Sequence, residues 1–327
     1  MCDLCPSWRC AVGRRECVKQ VIGAIQQTRM TLRNRNRRRQ LLCWLAGTGL
    51  TATAVGVPDH VGAATSSAPP LRFGTTPVFL DDRLALLGVW QSYLQAKLGR
   101  TVTFVQRGSY REIVDLLLTD RLDAAWLCGY PFVMYEPRLQ LVATASYRGQ
   151  ALYQSHLIVP ESDAFTKTVN HLAGRVFAYS DPLSNSGYLV PRVELIRSEL
   201  EPDRFFRRSF FTFGHRKVVE AVRVGLAHGG AVDGYVWDTL HAQHREETAG
   251  LKVAWRSQVH GFPPVVARAG LPGEDRDALA RALISMGDSD PGTKLLQRLN
   301  IDRFERVSAK QFASIRDLLR TASKSRT

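Results

Sequence analysis

The chain has little cysteine after its first 43 residues, and it lacks any long, strongly apolar run. Cys128 is the single cysteine beyond that point, the others being Cys2, Cys5, Cys10, Cys17 and Cys43. One cysteine excludes a framework of disulfides within the main part of the chain. The early cysteines have no histidine before His60 and fit no common zinc spacing. We therefore expect neither structural disulfides nor a metal site.

Signatures of catalysis are also missing. The sequence contains no G-x-S-x-G nucleophile elbow, no Walker phosphate loop and no dinucleotide-binding glycine fingerprint. His241 and His244 lie one helical turn apart in HAQH, and we interpret them as solvated side chains rather than as metal ligands. Asp181, Ser184 and His215 suggest a hydrolytic triad only by residue type. We expect a binding protein without cofactor, and a hydrolase is the weaker alternative.

The net charge of +14 is unevenly distributed. Ten of the 44 Lys and Arg residues and three of the 30 Asp and Glu residues precede residue 65, which leaves +7 for the rest. A basic body favours an anionic small ligand, although an ordinary surface explains the same balance. The densest arginine run, RNRNRRR, ends at Arg39 and precedes an apolar segment. That order argues against a nucleic-acid-binding arm, so no nucleic-acid partner is expected.

The N-terminal segment has the parts of an export signal. From Met30 onward, several arginines precede the moderately apolar stretch 41–57, and small residues follow at 61–64. This order predicts a signal peptide over residues 30–64 and a periplasmic protein, with residues 1–29 as an extension outside the native start. Arg38-Arg39 resembles a twin-arginine signal, which leaves the Sec and twin-arginine routes both open.

From Leu71 onward, strands alternate with amphipathic helices. Residues 84–98 carry apolar side chains three and four apart, and Gly99 follows at the position of a helix cap. Two such alternating runs predict an α/β fold of two lobes, each with a mainly parallel sheet. The extended segments 153–160 and 251–258 flank the second run. We therefore predict one lobe from residues 71–155 plus 256–327, a second lobe from 156–255, and a two-strand hinge.

The loop DPLSNSG combines small hydroxyl residues with the start of a helix. Ser184, Asn185 and Ser186 precede an apolar-periodic segment that begins at Gly187. The first N–H groups of a helix lack intrahelical partners and attract anions. The residues therefore predict an anion site, and ordinary helix capping by Ser or Asn is the alternative.

Several segments together resemble a known family. LRFGTTP, LGRTVTFVQRGSYREIVDLL, RLDAAWLCGYPFV, VFAYSDPLSNSGYLVPR, GHRKVVEAV and VDGYVWDTL are similar, in this order, to the phosphate/phosphite/phosphonate class of periplasmic solute-binding proteins. The resemblance implies a type-II periplasmic binding fold that closes on a small oxyanion. It also implies a monomer whose membrane partner is an ABC transporter permease or a sensor kinase.

The resemblance further implies which residues contact the ligand. Tyr110 matches a ligand-contacting tyrosine, and His215 matches a histidine that helps to neutralise the anion. The remaining candidates lie in the DPLSNSG loop or at two predicted strand ends: Ser184, Asn185, Ser186, Cys128, Gly129, Tyr130, Trp237 and Asp238. Asp238 is the one plausible partner for a ligand ammonium group, and its local spacing differs from that in relatives that take aminoalkyl phosphonates.

Cys128 leaves two functions open. A buried cysteine usually acts as a small apolar residue, and a phosphorus oxyanion needs hydrogen-bond donors alone. Some related periplasmic proteins instead use such a cysteine to sense arsenite for a histidine kinase. Capture of a phosphonate-type anion is the main hypothesis, and arsenite sensing is the alternative.

Overall fold

The structure is a computed structural model that describes residues 68–76 and 84–324. The predicted signal peptide and the extension before it lie outside the described residues. Thirteen strands are described: β1 Leu71–Thr75, β2 Val102–Gln106, β3 Ala124–Trp126, β4 Leu139–Ser146, β5 Leu152–Tyr153, β6 Ser155–Pro160, β7 Val176–Tyr179, β8 Arg208–Phe211, β9 Gly229–Asp233, β10 Leu251–Arg256, β11 His260–Gly261, β12 Pro264–Arg268 and β13 Arg303–Glu305.

Eleven α-helices connect these strands in the described part of the chain. They are α1 Leu84–Leu98, α2 Tyr110–Leu118, α3 Gly129–Met134, α4 Val190–Arg197, α5 Pro202–Phe205, α6 His215–Arg223, α7 Gly234–Gln243, α8 Arg245–Thr248, α9 Gly273–Ile284, α10 Asp290–Leu299 and α11 Ala313–Lys324. A π-helical turn, Asn185–Leu189, leads into α4. No helix among the described residues has both the length and the hydropathy needed to cross a membrane.

The strands form two principal sheets, and each sheet is the centre of one lobe. The first has the order β13-β4-β12-β3-β1-β2, and the second has the order β10-β6-β9-β7-β8. The prediction of a two-lobed α/β fold is confirmed. Both sheets are mixed, however, since parallel pairing is confined to β2-β1-β3 in the first and β8-β7-β9 in the second. The remaining strands are antiparallel because the chain crosses between the lobes and returns.

The two crossings run side by side. The chain leaves β4, passes through β5 and enters β6 of the second sheet; it returns from β10 through β11 to β12. Strands β5 and β11 pair antiparallel, with His260 opposite Tyr153. This short ladder ties the crossings together and is the two-strand hinge on which the lobes can turn. The exact lobe boundaries stay predictions.

Local signals explain where key helices begin and end. Helix α1 covers the predicted range, and Gly99 follows it with a φ of +62°, as a left-handed cap requires. The Ser109 hydroxyl oxygen accepts a hydrogen bond from Glu112 N and begins α2. The predicted strand end before Trp237 and Asp238 is misplaced, because in the segment AVDGYVW (residues 231–237) the strand stops at Asp233. Asp233 ends β9 and caps α7 by accepting hydrogen bonds from two backbone N–H groups.

The core of the first lobe is aromatic. Trp90 of α1 has no exposed surface and lies 5.7 Å from Phe73, 5.3 Å from Phe104 and 5.6 Å from Trp126, measured between ring centroids. Phe304 of β13, the edge strand of this sheet, also contacts Trp90, with ring centroids 6.3 Å apart. These rings hold α1 against the strands whose carboxyl ends carry the cleft.

This packing predicts the effect of truncating one ring. Trp90→Ala should lower the free energy of unfolding by about 3–5 kcal/mol, since a large buried side chain leaves a cavity. Val89→Ala is the matched control, because Val89 is next to Trp90 in the sequence but its side chain is 43% exposed. Urea unfolding followed by circular dichroism measures both. Equal midpoints for the two variants would contradict this account of the core.

Candidate ligand-binding site

The candidate site lies at the carboxyl ends of the parallel strands. Tyr110 begins α2 after β2, and Cys128 follows β3 in the same lobe. Asn185 follows β7 in the second lobe, and His215 follows β8. The carboxyl ends of parallel strands leave a crevice in open α/β sheets, which is where such folds bind ligands. The structure therefore brings together residues that are far apart in sequence.

Asp181 organises the loop after β7. Its Oδ1 accepts a hydrogen bond from Leu183 N at 2.8 Å, which fixes a tight turn. Its Oδ2 accepts one from Tyr110 N at 3.1 Å, on the other side of the cleft. The carboxylate thus joins the two lobes as well as shaping the loop. Burial raises its pKa, while both N–H groups act in the opposite direction.

The loop then enters a π-helical turn rather than an α-helix. The Ser184 hydroxyl oxygen accepts a hydrogen bond from Gly187 N at 3.0 Å, so the residue does cap the turn. The side chains of Ser184, Asn185 and Ser186 are fully buried. A wide π-turn is uncommon and occurs frequently at functional sites. The loop therefore caps a helical turn and also buries polar groups that a surface cap would expose, and its role as an anion site stays a prediction.

The atoms around residue 187 lie so close to its backbone that only glycine fits there. A Cβ at this position would lie 1.9 Å from the Ser180 hydroxyl oxygen and 3.0 Å from Cε1 of His215. No side chain fits there without displacing the turn. The glycine therefore lets the backbone approach the strand end and the histidine closely.

Buried polar atoms in this region lack partners within the protein. The Ser180 and Ser186 hydroxyls and Asn185 Oδ1 are buried without a hydrogen bond in the described structure. Unpaired buried polar groups cost free energy unless a ligand or water satisfies them. Their concentration within seven residues of one loop marks the place where a polar ligand would be held.

Cys128 faces this loop as a neutral thiol. Its Sγ accepts a hydrogen bond from Asn185 N at 3.2 Å, across the cleft. Burial raises the pKa of the thiol to about 11. A protonated sulfur is a poor ligand for a soft metalloid, because binding needs the thiolate. The structure therefore gives no support to the arsenite hypothesis.

The neighbours of Cys128 have different roles. Gly129 is a packing residue, since a Cβ there would lie 2.5 Å from Cδ1 of Ile315 in α11. The Tyr130 N–H lies close enough to the Cys128 sulfur to lower its pKa. Tyr130 is half-buried and packs against the core cluster. Through these contacts Gly129 and Tyr130 support Cys128. Their contact with a ligand stays a prediction.

Tyr153 was not among the residues predicted to contact the ligand. Its hydroxyl lies 3.0 Å from Nδ2 of Asn185, which donates to it, and its side chain is almost fully buried. Tyr153 belongs to β5 in the hinge ladder, so it places a phenol at the base of the cleft. The available sequence signal was its position at the start of the extended segment 153–160, and that signal indicates a hinge rather than a site.

His215 is buried and neutral. Its Nδ1 accepts a hydrogen bond from the backbone N–H of Asp233 at 3.0 Å, and its Nε2 lies 3.3 Å from the Tyr110 hydroxyl. Burial lowers the pKa of the imidazole to about 3. In this geometry His215 carries no positive charge, and its role in neutralising an anion stays a prediction. A backbone N–H can only donate, so it excludes a doubly protonated ring in this geometry.

The prediction for Trp237 and Asp238 needs correction, because both lie on α7 and not at a strand end. The Trp237 ring stacks on His241, with centroids 6.0 Å apart. Asp238 pairs with Arg148 at 2.9 Å and accepts a hydrogen bond from the Tyr147 hydroxyl at 3.3 Å. Its carboxylate is thus already bonded to the turn after β4.

Further contacts join α7 to the first lobe. The Tyr235 hydroxyl donates to the carbonyl oxygen of Leu299, and Nδ2 of Asn300 donates to the Thr239 hydroxyl at 2.8 Å. Tyr147 and Tyr235 also meet edge to face, with centroids 5.3 Å apart. With the Asp238 contacts, these bonds form a seam beside the cleft. The arrangement is a closed one, in which the lobes touch directly.

The site holds an unusual set of charges for an anion receptor. Asp181 and Asp233 are both buried, and burial raises the pKa of Asp233 to about 7. Burial raises the pKa of both carboxyls and backbone N–H groups act in the opposite direction, while the nearby Asp238 adds to the rise at Asp233. The donors of the described site are hydroxyls and N–H groups without net charge.

The raised pKa of Asp233 predicts a pH effect on stability. The folded protein holds this proton up to about pH 7, whereas the unfolded chain loses it near 3.8. The stability that protonation supplies is full below pH 3.8 and is lost as the pH rises through 7. Asp233→Asn keeps the helix cap without the charge. The free energy of unfolding of this variant, measured relative to that of the unmodified protein, should therefore increase from pH 4 to pH 8.

Asp163→Asn is the control of opposite sign. The carboxyl of Asp163 accepts hydrogen bonds from Phe165 N, Thr166 N and the Thr166 hydroxyl, and its pKa is lowered. The Asp163→Asn variant should be less stable than the unmodified protein at pH 8, and this difference in stability should shrink as the pH falls below 3.8. Urea midpoints of ligand-free protein measure both variants. A pH-independent difference for Asp233→Asn would show that its carboxylate is not destabilised by burial.

Comparisons with known proteins agree with this geometry. The chain is 26% identical over 260 residues to the phosphonates-binding periplasmic protein of Escherichia coli (strain K12), covering 76% of this chain and 75% of that one. It is 22% identical over 276 residues to "Probable ABC transporter phosphite binding protein PhnD1" of Prochlorococcus marinus (strain MIT 9301), covering 80% and 92%.

Solved structures share the fold. A binding-protein component of an ABC phosphonate transporter from Pseudomonas aeruginosa superposes with a TM-score of 0.71 at 22% identity, covering 78% of this chain and 88% of that chain. The Prochlorococcus marinus (MIT 9301) protein in complex with methylphosphonate gives 0.69 at 20% identity, covering 78% and 98%.

The family model described as "ABC transporter, phosphonate, periplasmic substrate-binding protein" matches residues 73–312, which include every residue of the cluster around Cys128 and His215. The chain therefore belongs to the family of periplasmic substrate-binding proteins of phosphonate ABC transporters.

Proposed function

We propose that this protein captures a small phosphorus oxyanion, of the phosphonate or phosphite type, in the cleft between its lobes and delivers it to a transporter permease. Family membership implies the periplasm, a small-molecule ligand and a membrane permease. The ligand class, action as a monomer, export by residues 30–64 and the lack of catalysis are parts of the proposal. The observation that carries it is the buried, donor-rich loop Ser184–Ser186 facing Tyr110 and Cys128.

The available hydrogen-bond donors suit an oxyanion. Within the part of the chain that the structure describes, the Ser180 hydroxyl has no hydrogen-bond partner and the Ser186 hydroxyl lies beside the Tyr153 side chain, and each can donate. The Ser184 oxygen already accepts from Gly187 N, so its own hydrogen points elsewhere. The N–H groups at the start of the π-turn add backbone donors. A tetrahedral oxyanion presents several acceptor oxygens in a small volume and can use donors that converge in this way.

Closure supplies the mechanism. Tyr110 N and Cys128 Sγ in the first lobe bond directly to Asp181 and Asn185 in the second. A ligand that contacts both lobes favours this closed state only by the difference between its affinities for the closed and open states. The hinge ladder of β5 and β11 allows that change without unfolding either sheet. The closed form then presents a surface with both lobes in fixed positions to the permease.

The seam on α7 argues for a ligand without an ammonium group. Asp238 is occupied by Arg148 and Tyr147 and is not free to pair with a ligand cation. Phosphite and methylphosphonate carry no cation and need no such partner. We therefore propose these over aminoalkyl phosphonates. The alternative function is arsenite sensing through Cys128, with a sensor kinase as partner. The following experiment distinguishes the two functions.

A thermal-shift panel tests the ligand class. Phosphite and methylphosphonate should raise the melting temperature of the full chain, because a ligand at a hundred times its Kd adds about 2.7 kcal/mol of stability. Phosphate, aminoethylphosphonate and arsenite complete the panel. Cys128→Ser should retain the shift. A shift with arsenite alone that is lost in Cys128→Ser would overturn the proposal.

A matched pair of double variants tests the loop. Asn185→Ala with Ser186→Ala should weaken binding of the best ligand at least tenfold by calorimetry, since a hydrogen bond to a charged group contributes about 1.5–3 kcal/mol. The control replaces the same residue types at an exposed pair, Asn170 and Ser198, where Asn170 Nδ2 donates to the Ser198 hydroxyl at 2.8 Å. Equal affinities for both double variants would remove the loop from the site.

A further inference from the structure

The seam along α7 consists of bonds that the protein makes with itself from one lobe to the other. Nη1 of Arg148, in the first lobe, lies 2.9 Å from Oδ2 of Asp238 on α7. The Tyr147 hydroxyl donates to the same carboxylate oxygen at 3.3 Å, and the Arg148 guanidinium lies 5.0 Å from the centroid of the Tyr147 ring. Nδ2 of Asn300 donates to the Thr239 hydroxyl at 2.8 Å. These bonds hold α7, which follows a strand of the second sheet, against elements of the first.

The turn that carries Arg148 is fixed to the first lobe. Arg148 has a φ of +52° and Gly149 a φ of +77°, which is the pattern of a tight hairpin turn. Backbone hydrogen bonds of 2.8 and 3.2 Å join Tyr147 and Gln150 around it, and Gly149 N donates to Oδ2 of Asp302 at 2.7 Å. A left-handed backbone is uncommon for arginine, and such outliers persist where the surrounding structure holds them. The turn therefore presents the guanidinium in one fixed direction.

The ion pair lies farther from the hinge than the start of α7 does. Gly234 N, at the first residue of α7, donates to the carbonyl oxygen of Gln154 in the hinge at 2.9 Å. Asp238 is four residues further on, which is about 6 Å along the helix axis. When one lobe rotates against the other, a point moves in proportion to its distance from the hinge. Opening therefore separates Asp238 from Arg148, and an ion pair requires the two charged groups to be within about 4 Å.

We propose that the seam is a latch between the lobes, in which Arg148 and Asp238 hold the cleft closed in ligand-free protein and so raise the affinity for every ligand by the same factor. The inference rests on the proposed function for the identity of the ligand, whereas the latch itself requires only the lobes and the hinge. The apparent Kd equals the Kd of the closed form divided by the fraction of molecules that are closed. Residues of the latch therefore change affinity without touching the ligand.

The exposure of the pair limits the strength of the latch. The Arg148 side chain is 70% exposed and the Asp238 side chain 18% exposed. Ion pairs this close to solvent shift an equilibrium by a factor of about two to five. A latch of that strength populates the closed state, yet it still opens readily enough for a ligand to enter and leave. The latch thus sets the level of affinity, and the residues of the cleft set the selectivity.

Hydrogen exchange in the ligand-free full chain tests the latch directly. Asn185 N donates to Cys128 Sγ across the cleft at 3.2 Å, so its amide hydrogen exchanges only when the lobes separate. Arg148→Asn removes the charge and keeps a residue that tolerates the left-handed turn, and it should speed this exchange about two- to fivefold. Arg303→Asn is the matched control, since Arg303 pairs with Glu305 at 2.8 Å within the first lobe and is 58% exposed. The control should leave the exchange of the Asn185 amide unchanged.

A charge swap separates pairing from any other role of the two residues. Arg148→Asp also suits the left-handed turn, but it places a second carboxylate beside Asp238. Exchange of the Asn185 amide should therefore be faster in this variant than in Arg148→Asn. Adding Asp238→Arg should slow it again, because the swapped charges attract. A double variant that exchanges faster than Arg148→Asp would overturn the proposal.

Calorimetry with methylphosphonate and with phosphite completes the test. If K is the ratio of open to closed molecules, the exchange rate scales with K/(1+K) and the apparent Kd with 1+K. The product of the two fold-changes therefore equals the factor by which a variant changes K. For Arg148→Asn this product should be about two to five, and the change in Kd should be the same for both ligands.

Two results would overturn the latch. One is an Asn185 amide that, in ligand-free unmodified protein, exchanges as fast as in an unstructured peptide or no more slowly than in Arg148→Asn. The other is a change in Kd that differs between methylphosphonate and phosphite, because Arg148 would then contact the ligand. Failure of the unmodified protein to bind either anion would remove the proposed function instead, and the exchange experiment would still decide the latch.

Discussion

An anion that leaves water must find a hydrogen-bond donor for each of its oxygens, and this protein supplies donors without placing a cation beside them. Buried charge is costly because the interior screens it poorly. We propose that the cleft meets that demand with hydroxyls and N–H groups on the loop after β7 and with a tyrosine on the opposite lobe. The buried carboxyls of Asp181 and Asp233 accept hydrogen bonds from backbone N–H groups of the same cluster and so fix its geometry.

The fold follows from the need to bring these donors together from two sides. The parallel strands of each sheet end at the cleft, and the antiparallel strands carry the chain across the hinge and back. Contacts such as Asn185 N to Cys128 Sγ exist only when the lobes meet. Affinity and closure are therefore two aspects of one equilibrium, in which the ligand supplies the acceptors that the closed cleft lacks. The seam between α7 and the turn at Arg148 adds direct contacts between the two lobes.

Much of this architecture could be predicted from the sequence, because periodicity and capping are local. Helix α1 and its Gly99 cap, the Ser109 start of α2 and the crossing segments all follow from short patterns. The start of α7 was missed, because the apolar run AVDGYVW matches a buried strand until Asp233 is recognised as a cap. For the site, residue types together with the family resemblance indicated the DPLSNSG loop as a candidate, and its contact with a ligand stays a prediction. Tyr153, the neutral state of His215 and the pairing of Asp238 with Arg148 could not be predicted, since each depends on a partner distant in sequence.

The central claim is that neutral donors in a closed cleft hold the anion. Calorimetry of methylphosphonate binding to the unmodified protein at pH 8, in low and in high sodium chloride, tests it most directly. Buried contacts are screened little by salt, so the Kd should change by no more than about threefold between 20 mM and 500 mM. A Kd that rises more than about tenfold over this range would place the anion on exposed basic side chains and contradict the account.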